Sequence, residues 1–241
     1  MSICDCETKR GLYFHWSYDN RKLQKDNTVS FSIPAFRDKY GNNTCPQAGE
    51  CVLECYARGN FFMFPVVQTT LQHNFDFLLY DKGNGFINFS KYMNIDLYHL
   101  MNRGYTNIRV HSAGDFFRHK YFLAWLRLAK CFPSMNFYAY TKMISFVNRA
   151  RSFIPSNFKI TCSFGGQSDN LINMNFPHSV VFNSKEDIER FGYIDASEME
   201  VSAREGKVKI GLQRHGNLVS RKKRASWKST QRLLERENNG N

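Results

Sequence analysis

The chain has no run of apolar residues near the ~20 that a membrane-spanning helix needs. Its first ten residues, Met1 to Arg10, lack the apolar stretch of a signal peptide. A soluble protein without a secretory leader is therefore expected. The cysteines make no disulfide framework either: Cys4, Cys6, Cys45, Cys51, Cys55, Cys131 and Cys162 form an odd set, clustered rather than spread. A reducing compartment, the cytoplasm, is expected. Internal repeats at solenoid periods are also missing. Acidic side chains are scarce relative to basic ones, 21 against 33, for a net charge of +12 and a pI near 9.4. Such a charge favours an acidic partner, and nucleic acid is the commonest one in the cytoplasm; a basic surface with no specific ligand is the alternative.

At 241 residues and 42% hydrophobic, the chain can bury one full core, and single α/β barrels of this length are ordinary. Val29-Ser30-Phe31-Ser32-Ile33 alternates with period two until Pro34 stops it, which predicts a first strand. Further strands are expected at Asn107 to His111, Asn136 to Tyr140, Phe158 to Cys162, Ser179 to Phe182 and Val208 to Leu212. Between them the period turns helical. A helix is expected from Tyr56 and a second from Pro65, with Val66, Val67, Leu71, Phe75, Leu78 and Leu79 on its apolar face. Others are expected around Leu97 before Gly104, from Lys120 to Cys131, from Ile144 to Arg151 and from Glu186 to Phe191. The predicted fold is α/β: a partial parallel (β/α)6-type barrel over residues 28–216, preceded by an irregular N-terminal segment (1–27) and followed by a basic, partly disordered tail (217–241). The aromatic run Tyr13 to Trp16 could cover one end of the core.

Chemistry concentrates in one loop. Cys45, Cys51 and Cys55 are spaced C-x5-C-x3-C within eleven residues, after the first strand. Three thiolates leave one coordination position open, the mark of a reactive rather than a closed structural site, and soft sulfur favours zinc or an iron–sulfur cluster. Chance buried thiols are the alternative. Zinc would want a fourth ligand, for which Cys4, Cys6, His73 and His111 are candidates.

Ligands of parallel β/α folds gather at the carboxyl ends of the strands. That rim is also expected to carry Ser112-Ala113-Gly114-Asp115, Thr141-Lys142 and Ser163-Phe164-Gly165-Gly166-Gln167. Gly114 would let backbone approach a ligand, and Asp115 would accept hydrogen bonds from an amine or a ribose hydroxyl. The alternative for Asp115 is a cap on the following helix. Tyr138 and Tyr140 share one strand face and are expected in the barrel interior. Lys142 lies beyond them, as an anion ligand or a solvated side chain. Gly165 and Gly166 could make room for a cofactor. Cys131 and Cys162 read as core thiols, and His111 as a structural histidine, a ligand or a proton donor. In the tail, Arg221, Lys222, Lys223, Arg224 and Trp227 could hold phosphates and stack a base, or form a solvated run.

Three stretches carry a resemblance. Cys45 to Ala57, with the pattern Cys-Pro-x-Ala-Gly-Glu-Cys-x-x-x-Cys-Tyr-Ala, then Arg109 to Phe116, then Phe137 to Lys142 together resemble the phage-encoded gene product 88 family. Phe164-Gly165-Gly166 and Gln213-Arg214-His215-Gly216 extend it in weaker form. The resemblance implies a phage protein working in the host cytoplasm. The organisation is in turn similar to that of radical S-adenosylmethionine enzymes. It implies a [4Fe-4S] cluster on Cys45, Cys51 and Cys55 and S-adenosylmethionine near Gly114 and Asp115, and the basic charge points to a nucleic acid or nucleotide as substrate. C-x5-C-x3-C departs from the C-x3-C-x2-C usual there, and Ser202 to His215 lacks the further cysteines often seen in the phage family. Two other functions fit the same residues: a non-enzymatic nucleic-acid-binding protein with a structural metal, and a regulator that uses its thiols reversibly.

Overall fold

The computed structural model describes residues 11–18, 27–197, 200–214, 232–233 and 235–236. Its strands are β1 (Trp16–Ser17), β2 (Thr28–Phe31), β3 (Asn107–Val110), β4 (Asn136–Thr141), β5 (Phe158–Ser163), β6 (His178–Phe182), β7 (Ile194–Asp195) and β8 (Lys209–Gln213). Its α-helices are α1 (Cys51–Glu54), α2 (Pro65–Asp81), α3 (Ile87–Asn102), α4 (His119–Cys131), α5 (Ile144–Ala150), α6 (Lys185–Arg190) and α7 (Val201–Glu205). The strands form one sheet in the order β1-β2-β3-β4-β5-β6-β8-β7. All six expected strands are present, parallel and side by side in chain order. Strands added one after another on the same side give the winding of a β/α barrel rather than of a doubly wound sheet. Antiparallel β1 and short β7 are the two edges, so the sheet stays open.

Local chemistry explains the helix boundaries. Pro65 starts α2 at the position where its missing N–H costs nothing. The helix expected from Tyr56 is instead two 3-10 turns, because Gly59 between them is fully extended (φ −153°). Gly104, at φ +84°, turns the chain after α3 as expected.

Register sets the two faces of the sheet. Phe31, Val110, Ala139 and Ile160 are side by side, and so are Val29, Ile108, Phe137 and Phe158; all are buried with apolar residues of α2 to α6. Phe31 lies edge-on to Phe14, Trp16 and Trp125 at centroid distances of 5.6, 5.7 and 5.5 Å. Burying such a ring contributes roughly 1.5–3 kcal/mol. The N-terminal aromatics do close one end of this core: Phe14 and Trp16 are buried. Buried Asp96 anchors them, accepting from Tyr13 N–H (2.8 Å), Phe14 N–H (3.0 Å) and Trp16 Nε1–H (2.9 Å).

The opposite, inner face carries Ser30, Arg109, Tyr138 and Lys159 in one register row. It is covered by α7, whose Ala203 packs with Tyr138, Ala196 and Ile210. The sequence pattern did not predict α7. Cys162 is buried as expected, whereas Cys131 is exposed; it is the last residue of α4, past the turn that faces the core.

Candidate site at the carboxyl rim

The cysteine loop is held from two sides. From β2, the segment 36–44 folds back on itself, with Thr44 N–H donating to the Phe36 carbonyl (3.0 Å) and Phe36 N–H donating to Cys45 Sγ (3.3 Å). From β5, Gly165 and Gly166 receive the loop: Cys51 N–H donates to the Gly165 carbonyl (3.0 Å), and Gln167 N–H to the Gln47 carbonyl (2.9 Å). A Cβ on Gly49 would lie 2.9 Å from the Gly165 oxygen, and one on Gly166 would lie 2.9 Å from the Gln47 oxygen. These glycines let two backbones touch. The space they create is filled by the cysteine loop. Asp169 secures the arrangement, accepting from Gly165 and Gly166 N–H, both at 2.9 Å.

Gly114 also answers to protein packing. Its φ is +82°, and a Cβ there would fall 2.2 Å from Ile33 Cγ1. Asp115 is buried and joins three strand ends: its carboxylate accepts from Thr141 Oγ1 (2.6 Å), Lys142 N–H (2.9 Å) and Phe116 N–H (2.7 Å), while its own N–H donates to the Thr44 carbonyl (3.1 Å). Burial raises its pKa, opposed by those hydrogen bonds. It does not cap α4, whose N-cap residue is Arg118.

The thiols share one electrostatic neighbourhood. Burial pushes the Cys45 thiol up to about 12, with the Asp115 charge and Cys55 adding to the effect. Cys55 is raised by burial and by Cys51, against Lys142 and Arg58. Lys142 donates from Nζ to Ser163 Oγ (2.9 Å). Burial disfavours its charge, but Cys51, Asp115, Asp169 and Cys55 outweigh that and raise its pKa. Among the described residues, no group of three or more His, Cys, Asp or Glu side chains is arranged to hold a metal ion. His73 faces the N-terminal segment, 4.7 Å from the His15 ring.

Below the rim lies the inner face. Arg109 of β3 is buried and forms an ion pair through Nη1 with Glu200, just before α7; Tyr138 OH donates to the other Glu200 oxygen (2.8 Å). Arg109 Nη2 also reaches Tyr56 OH (3.4 Å), next in the chain after Cys55, and Tyr56 OH donates to the Ser112 carbonyl. The guanidinium stands 5.5 Å from the Tyr140 ring centre. Burial works against the Arg109 charge, but Glu200 and the tyrosines hold it protonated. Among the described residues, Arg109 Nε, Tyr140 OH, Thr161 Oγ1 and Ser179 Oγ are buried on this face without a hydrogen-bond partner. A buried unpaired group costs about 1–3 kcal/mol.

His111 takes the opposite course. Strand alternation would point it inward beside Arg109, but its φ of +68° turns it into the outer aromatic core, where Nε2 meets Tyr121 OH (2.9 Å) and the ring lies 4.9 Å from Phe116. Burial, then the Arg109 charge, lowers its pKa to about 3. The structural reading of His111 holds.

The structure thus brings Cys45, Cys51, Cys55, Asp115, Lys142, Gly165 and Gly166 to one rim and puts Tyr138 and Tyr140 on the inner face. Cys4, Cys6, Arg221, Lys222, Lys223, Arg224 and Trp227 lie outside the described residues. Sequence reasoning missed Arg109 and Glu200. Arg109 had a signal, a cation in the middle of an apolar β-run; Glu200 had none.

A one-way-wound parallel sheet with a thiol loop after its first parallel strand defines an α/β protein of the partial-barrel class. Within that class, the family model described as Gene product 88 matches residues 12–231, and the chain belongs to that family. No curated protein and no solved structure matches it. Among the described residues no helix is long and apolar enough to cross a membrane.

Proposed function

We propose that the chain carries an iron–sulfur centre on Cys45, Cys51 and Cys55 and acts as a radical S-adenosylmethionine-like enzyme on a nucleotide or nucleic acid, with the inner face of the sheet as its reaction chamber. The observation that supports this reading is the placement of the loop bearing Cys45, Cys51 and Cys55 at the carboxyl rim, against Gly165 and beside Lys142. When bound, such a centre supplies single electrons at low potential. The protein's own residues do the rest. Gly49, Gly165 and Gly166 fix the loop that bears Cys51, and Asp115 ties the loops after β3 and β4 together. Tyr56 links the loop to Arg109, and α7 shields the inner face from water, which strengthens every polar contact made there. The unpaired atoms of Arg109, Tyr140, Thr161 and Ser179 would orient the bound molecule. Of the candidates for a fourth zinc ligand, His73 and His111 are both turned to other partners.

The test is to purify the protein without oxygen, reconstitute it with iron and sulfide, and measure iron, visible absorption and S-adenosylmethionine cleavage. Wild type is expected to hold iron and cleave the cofactor, and Cys51→Ala to lose both. Zinc in place of iron, or full metal retention in Cys51→Ala, would overturn the proposal. A second reading rests on the net charge of +12: a nucleic-acid-binding protein with a structural metal. It predicts steeply salt-dependent binding that disappears when the residues after His215 are removed.

A further inference from the structure

We propose that the exposed aromatic surface beside the cysteine loop, built by residues 56–66 and the segment 36–44, is a platform for single-stranded nucleic acid, held by stacking on its unpaired bases. The proposal deepens the function given above and rests on its choice of a nucleic acid as partner. It adds where the strand lies and which form of nucleic acid is taken.

After the third cysteine the chain turns large apolar side chains outward. Phe61 is 59% exposed, Met63 57%, Phe64 57% and Val66 73%. Exposed apolar side chains that lie together mark a binding surface, whereas scattered ones do not. These lie together: Tyr56 meets Phe62 at 5.6 Å between ring centres, Phe62 meets Phe61 at 6.2 Å, and Phe61 meets Phe64 at 5.7 Å, all edge-on. With more than half of its surface in water, neither Phe61 nor Phe64 has both ring faces covered. The two rings stand at 78° to each other, so neighbouring bases must splay apart to stack on them. A single strand can do this, whereas a duplex holds its bases parallel with their faces already covered.

Charge favours a nucleic acid over a protein partner. Arg58 and Arg37, both exposed, stand over the Phe36 ring at 5.3 and 5.2 Å and donate to the carbonyls of Val52 (2.8 Å) and Gly41 (2.9 Å). Lys39 stands 4.8 Å over the ring of Tyr40, itself 68% exposed. Rings and carbonyls place these cations without neutralising them. A second copy of the chain would bring the same charges against them and a net +12 of its own, whereas a strand brings flat apolar faces for the rings and phosphates for the cations. The platform also leads to the rim. Tyr56, which begins the series of rings, follows Cys55 in the chain and donates to the Ser112 carbonyl after β3.

The experiment is fluorescence anisotropy of the full chain, metal-free, with a short labelled single strand of DNA, the same sequence as RNA, an abasic strand of equal length and a duplex. Both single strands should bind, since apolar rings do not read the sugar, and the abasic strand and the duplex should bind about tenfold more weakly or less still. Phe61→Ala combined with Phe64→Ala should weaken single-strand binding about tenfold or more and leave the thermal midpoint nearly unchanged, because both side chains are exposed. Phe61→Trp should retain binding, and Arg58→Gln should weaken it less than the double variant while flattening its salt dependence. An abasic strand or duplex bound as tightly as the single strand, or wild-type affinity in the double variant, would overturn the proposal. So would a wild-type dimer in sedimentation that the double variant dissociates, which would make the patch a contact between copies of this chain. Iron content and S-adenosylmethionine cleavage, measured on the same proteins after reconstitution, separate the two proposals. A wild type that binds the strand but holds no iron overturns the metal reading alone, and one that holds iron and cleaves the cofactor but does not bind the strand overturns the platform alone.

Discussion

On its outer face the sheet presents Phe31, Val110, Ala139 and Ile160 to an apolar core of helices, while Ser30, Arg109, Tyr138 and Lys159 occupy the preceding position on the same four strands and face inward. Parallel sheets covered on both sides are usually apolar on both. Here the inner side carries a buried ion pair and several unpaired hydroxyls instead. Replacing a buried ion pair by packed apolar side chains is often neutral or stabilising, so stability alone does not account for Arg109 and Glu200. The outer face holds the fold together, and the inner face carries the buried charges.

The two largest expected effects set these faces against each other. Phe31→Ala should cost about 3–5 kcal/mol in urea unfolding, through the cavity it leaves, and Phe31→Leu should recover most of that. Arg109→Ala should cost a similar 3–5 kcal/mol or so, because it strands the Glu200 carboxylate in the interior. The double change Arg109→Met with Glu200→Leu should return stability to near wild type while abolishing the proposed activity. A cost for Arg109→Ala below about 1 kcal/mol would mean that the inner face is effectively solvated, and the contrast would collapse.

A smaller effect is expected at the junction of the two faces. Gly114→Ala should cost about 1–3 kcal/mol, since the residue sits at φ +82° and its new methyl would meet Ile33. Ile33→Ala in the same chain should relieve only the steric part of that cost. Full stability in Gly114→Ala would show that the loop can shift without disturbing β2.

The smallest effect is a pH slope. Unfolded, His111 takes up a proton near pH 6.5 or so; folded, it does so only at about 3. Between these values the unfolded state binds more protons, so stability falls as pH drops, by roughly 1.4 kcal/mol per unit. Above the unfolded pKa the group contributes nothing to the slope. His111→Gln should remove this component, so the stability gap between the two proteins should change between about pH 7 and about pH 5. An unchanging gap would place His111 in contact with water and on the wrong face.

Much of this was legible from residue order. Period-two alternation marked the first parallel strand, a short β-branched run marked the second, and Pro65 and Gly104 marked helix ends, because these signals act over a few residues. Tyr138 and Tyr140 could be assigned inward on alternation alone. His111 could not, since one left-handed residue reverses the face that alternation predicts. The cysteine spacing pointed to the loop, but the glycine pair after β5 carried no sign that it would receive that loop.

By itself the sequence determined the six consecutive parallel strands and the place of the three thiols after the first of them, consequences of local backbone preference and apolar period, while β1 and β7 at the sheet edges went unpredicted. Only the tertiary structure decided what surrounds them. Glu200 meets Arg109 across 91 residues of chain, and Gln167 reaches Ala48 across 119. Contacts of that kind depend on how sheet twist and loop length bring distant segments together, and no local pattern records them. The thiol loop is a spacing in the sequence. In the fold it sits at the carboxyl rim, with Tyr56 linking it to the buried Arg109.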